Sequence, residues 1–110
     1  MKTSRIAAVF MLVSIFSAGV ALAHKVNLFA YVEGGKIHTE SYFPDGRMVE
    51  GGTVRVFDSA DTLLLEGTTD TGGLFSFPIP KVDDLTIVID AGMGHKNSFQ
   101  LKRTEVEAGK

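Results

Sequence analysis

The chain of 110 residues has no cysteine, only three prolines and only three histidines. Without cysteine, no disulfide can brace the fold in an oxidising compartment, no thiolate can serve as a nucleophile, and no lipid can be attached through a cysteine. Runs of lysine and arginine are missing too. The 11 basic and 13 acidic residues leave a net charge of −2, which excludes the clustered positive charge of a nucleic-acid binder. There is no glycine loop of the phosphate-cradling kind, no dinucleotide fingerprint and no nucleophile–base pair in a recognisable context. These absences point away from an enzyme and towards a binding protein.

What is present starts with residues 1–23. Lys2 and Arg5 precede the apolar run Ile6 to Val20, and Ala21-Leu22-Ala23 supplies the small-x-small border that signal peptidases accept. The expected outcome is cleavage between Ala23 and His24 and export to the periplasm or another extracytoplasmic space. Retention as an anchor is the alternative, because Ile6 to Ala23 just reaches the ~18 apolar residues a span requires. Cleavage leaves 87 residues, with 9 basic against 13 acidic. That acidic balance attracts cations.

In the remaining chain, strand signals dominate and no helical periodicity exceeds one turn. Residues 25–32 alternate, with Val26, Leu28, Ala30 and Val32 on one face, and Gly34-Gly35 reads as a two-residue hairpin turn into 37–43. That turn pairs Tyr31 with His38 and Phe29 with Glu40. Further strands are expected at 53–59, 62–69, 74–79, 85–91 and 97–103, with Phe75, Phe77, Ile87 and Ile89 in the core. Seven short strands with turns every eight to twelve residues predict one antiparallel all-β domain over 24–103. Residues 104–110 read as a polar, frayed tail.

The segment "GGTVRVFDSADTLLLEGTTDTGGLFSFPIP" resembles the carboxypeptidase-regulatory or transthyretin-like sandwich, through Val54-Val56, Thr69-Asp70, Gly73, Phe75 and Phe77. The resemblance implies a Greek-key sandwich of seven strands. In that motif Asp70 bonds turn amides and Gly73 relieves the backbone. A narrower resemblance runs through "AHKVNLFAYVEGGKIHTESYF", "LLLEGTTDTGGLFSFPIP" and "IVIDAGMGHKNSF". Together they are similar to the small periplasmic accessory component of nickel or cobalt ECF-type transporters. This implies a non-catalytic role beside a membrane permease in the uptake of Ni²⁺ or Co²⁺.

None of His24, His38 and His95 has the local spacing of a zinc finger or a metalloprotease helix. A site must therefore be assembled by the fold. Alternating strand directions put His24 and the loops 44–52, 70–73 and 92–95 at one end, with His38 close to the other. Cleavage before His24 would turn it into a chelate of free amine and imidazole, which sheds the amine proton readily at neutral pH. His95 adds a second imidazole, suited to nickel, cobalt, copper and zinc alike. Met93 reads either as a thioether ligand or as a side chain closing the open end of the core. Asp90 is placed to orient His95. Cu²⁺ is the rival cargo, since it binds such donors more strongly. A metal-free module that docks through Phe29, Tyr31 and Tyr42 is the rival of another kind.

Overall fold

The computed structural model describes residues 25–110. The expected leader 1–23 and the expected ligand His24 lie outside the described residues. The elements are β1 (Asn27–Glu33), β2 (Lys36–Tyr42), β3 (Thr53–Phe57), β4 (Leu63–Thr68), β5 (Leu74–Pro78), β6 (Leu85–Asp90), β7 (Lys96–Leu101) and the helix α1 (Arg103–Ala108). Two antiparallel sheets form, one in the order β1-β2-β5 and the other β4-β3-β6-β7. The protein is all-β with a short terminal helix.

Alternation decides which residues face inward. Val26, Leu28 and Ala30 point into the core, as do Ile37 opposite them and Val54, Val56, Ile87 and Ile89 from the second sheet. Each fully buried Val or Ile contributes about 1.5–3 kcal/mol relative to exposure. The Gly34-Gly35 turn, both residues at positive φ, sets the register of the first hairpin: Tyr31 pairs with His38 and Phe29 with Glu40, as the turn length requires. Phe77, Ile87 and Ile89 are buried, whereas Phe75 is only partly so. Phe75 lies on the edge strand β5, and its ring covers the backbone of Gly67 on edge strand β4, where any Cβ would collide with it. The opposite seam brings β1 against β7, with the Phe29 and Phe99 rings edge to face at 5.6 Å.

The carboxy-terminal residues are no frayed tail. They form α1, whose Val106 is 0% exposed. The Asp84 carboxylate accepts the Arg103 backbone N–H at 2.8 Å, and the Gly109 carbonyl accepts the Gly35 N–H at 2.9 Å. A helix this short is marginal in isolation. Burial of Val106 and these two tethers hold it, and neither is visible in local periodicity.

Candidate functional site

The start of β1, the end of β2, the loop 43–52 and the turns 70–73 and 91–95 gather at one end of the sandwich. Gly73 carries its carbonyl to the Ser41 N–H at 2.9 Å, and the Thr69 hydroxyl ties the Val49 carbonyl to the Gly52 N–H. Asp70 accepts the Gly72 and Leu74 N–H groups, each at 2.9 Å, as the turn motif implied. Gly73 has φ +74, and a Cβ there would strike the Ser41 carbonyl.

The turn between β6 and β7 presents two of the expected ligands. The Ala91 N–H donates to His95 O at 2.8 Å, and the His95 N–H to Gly92 O at 2.9 Å. Gly92, Met93 and Gly94 all have positive φ, at +82°, +52° and +82°. Only the methionine carries the steric cost of that region, about 1–2 kcal/mol. Asp90 braces this backbone, its Oδ1 accepting the Gly92 N–H at 2.9 Å while Oδ2 faces Lys96 at 3.7 Å and Arg55 at 4.0 Å. The Gly92 N–H, then the positive charges of Lys96 and Arg55, hold the Asp90 carboxyl below its ordinary value. Asp90 thus acts through the turn backbone.

The His95 ring is oriented from two sides. Its Nδ1 lies 3.1 Å from the Gly92 carbonyl. A carbonyl only accepts, so this bond puts a proton on Nδ1. Phe43 meets the imidazole edge to face at 5.4 Å, and the Arg47 guanidinium lies 4.9 Å from the centre of the Phe43 ring. Arg47 is itself paired with Asp45 at 2.8 Å. The imidazole therefore has a defined ring plane, which a ligating histidine needs.

Met93 is 91% exposed, so it does not close the end of the core. Its thioether stands out from the same turn as His95. Near them, the Asn97 amide on β7 donates to the Val26 carbonyl at the start of β1, at 2.8 Å. That bond places the amino-terminal strand at the His95 end. Among the described residues no group of three His, Asp or Glu side chains comes together.

His38 belongs elsewhere. Its Nε2 lies 3.4 Å from the Glu33 carbonyl and its Nδ1 2.8 Å from the Ser76 hydroxyl, and the ring stacks on Tyr31 at 5.1 Å. With Nε2–H donating to the carbonyl, Nδ1 accepts from the hydroxyl, and both ring nitrogens are engaged within the sheet. Phe29, Tyr31 and Tyr42 are exposed on the same outer face.

The far end is closed by ion pairs that the sequence reading did not find. Asp58 on the turn after β3 accepts the Ala60 and Thr62 N–H groups and pairs with Lys81 at 2.9 Å. Asp83 accepts the Ser59 hydroxyl and N–H and lies 3.7 Å from Lys81. The Thr62 N–H and Lys81 lower the Asp58 carboxyl, the Ser59 hydroxyl and N–H lower Asp83, and the Asp58 carboxylate raises Lys81. Phe43 and Asn97 were missed for a similar reason, since their partners lie far along the chain.

Comparison with family models, with curated proteins and with solved structures finds no match for this chain.

Proposed function

We propose that this protein is an exported, non-catalytic metal-binding domain that assists uptake of Ni²⁺ or Co²⁺ by the membrane permease of an ECF-type transporter. It works on a Greek-key, transthyretin-like sandwich freed of its leader after Ala23. The observation that carries the reading is His95: a ring whose plane is set by the Gly92 carbonyl and Phe43, at the end where the amino-terminal strand begins. His24, as the mature terminus, supplies the bidentate amine and imidazole, and Met93 an exposed thioether. A shell so incomplete suits transfer, because an acceptor can join the ion before the donor lets go.

The test is calorimetric titration of protein beginning at His24 with Ni²⁺, Co²⁺ and Cu²⁺. His24→Ala, His95→Ala, or one extra residue ahead of His24 should each weaken binding strongly, and His38→Ala should do little. Preference for Cu²⁺ retained under competition with a copper chelator would move the assignment to a copper-binding protein. Absence of binding would favour the metal-free docking module, for which the exposed Phe29, Tyr31 and Tyr42 are the supporting observation.

A further inference from the structure

The outer face of the sheet β1-β2-β5 carries a lone carboxylate in an apolar setting. The register puts Glu40 of β2 between Phe29 of β1 and Leu74 of β5. Along β2 it stands between His38 and Tyr42, which share its face. Glu40, Phe29, Tyr42 and Leu74 are all exposed. Among the described residues no cation pairs with the Glu40 carboxylate. Arg47, on the adjoining loop, is committed to Asp45 and to the Phe43 ring.

Glu40 also lines a groove of about 360 Å³ together with Tyr42, Gly46, Met48, Gly72 and Leu74. Main-chain bonds fix its shape. The Gly73 carbonyl accepts the Ser41 N–H at 2.9 Å, and the Ser41 carbonyl accepts the Val49 N–H at 3.1 Å. Such a volume lies near the lower limit of ligand pockets, ~300–1,000 Å³, and suits one long side chain. Met48 and Leu74 offer apolar surface to an aliphatic stem, Glu40 a counter-charge to its head, and Tyr42 a ring face for a cation. The occupant must answer that charge. A purely apolar partner would bury the carboxylate unpaired, at high cost. A second copy, related by a two-fold axis through the patch, would set one Glu40 against the other and be repelled.

We propose that this groove docks a protein segment presenting a lysine or arginine beside apolar residues, its cationic head on Glu40 and its stem between Met48 and Leu74. The inference goes beyond the metal reading and does not depend on it.

The experiment selects a random-peptide phage library against protein purified from cells expressing the full chain, with EDTA present throughout. Enriched peptides should carry Lys or Arg next to an apolar residue. One of them, synthesised and titrated by NMR, should shift the Met48 and Leu74 methyl resonances. Glu40→Gln should weaken that peptide about tenfold or more. Glu40→Lys should abolish its binding and redirect selection to peptides with Asp or Glu. Either variant suffices if the other does not fold. No enrichment, enriched peptides without a cation, or undiminished affinity in folded Glu40→Gln overturns the inference. Binding to phosphatidylcholine vesicles that depends on Glu40, with no peptide selected, also overturns it, because the cation would then belong to a lipid headgroup. Self-association in sedimentation that Met48→Asp abolishes would give the groove to a second copy and overturn it too.

Discussion

At the end that carries the 58–62 turn and the 79–84 loop, Asp58 is 5% exposed and its oxygens are occupied by two backbone N–H groups and Lys81. At the other end, Met93 stands 91% exposed in a left-handed turn between two glycines. The first arrangement spends polar groups on joining one loop to another. The second keeps an oriented imidazole and a thioether at the surface and spends its hydrogen bonds on aiming them. Stability and presentation are thus divided between opposite ends of one core, and a variant at either end should reveal which task that end performs.

The largest effect should come from the core both ends share. Phe77→Ala should cost about 3–5 kcal/mol, read as a fall in the denaturation midpoint, and with no disulfide to compensate it can unfold the domain. Gly73→Ala should follow at about 2 kcal/mol, because the left-handed backbone and the Ser41 carbonyl both oppose a Cβ. That outcome would show that the presenting end also has a rigid base. Acid should then separate the two ends. The Asp58 and Asp83 carboxyls lie below the ordinary 3.8, so the stability they confer is complete above that value and is lost as pH falls through the lowered one. Asp58→Asn should flatten this acid limb more than Asp90→Asn, and the reverse order would break the division drawn above. Ser41→Ala should raise stability by about 1 kcal/mol, since the buried Ser41 Oγ finds no hydrogen-bond partner among the described residues. Least of all, Met93→Gly should change stability by no more than about 0.5 kcal/mol, because relief of the left-handed strain is offset by the freedom glycine adds to the unfolded chain, while weakening metal binding.

Much of the sheet structure was legible because its causes are local. A two-residue glycine turn leaves a single register, so the pairing of Tyr31 with His38 could be written down before any coordinates. The roles of Asp70 and Gly73 followed from the chemistry of a turn. The half-burial of Phe75 did not, because it depends on which strands end as sheet edges and on Gly67 lying beneath its ring. The helix at 103–108 was misread since one buried valine gives no periodicity. At the candidate site, His95 and Met93 could be proposed as ligands from residue type and strand direction. The Gly92 carbonyl and Phe43 that orient the imidazole could not, and neither could the Asp58–Lys81 pair, whose partners stand 23 residues apart. Contacts of that kind exist only once the sheets have met.

The Asn97–Val26 bond and the Gly35–Gly109 bond have a consequence in time. Both join the first hairpin to the last quarter of the chain. A chain emerging amino terminus first from a ribosome exposes β1 and β2 long before β7 and α1 exist to close over them. Pairing at such separation is slow, because the loop must close before any contact rewards it. The hairpin can form early, but the seam must wait for the final residues. The histidine end, which depends on that seam, is therefore among the last parts of the molecule to be completed.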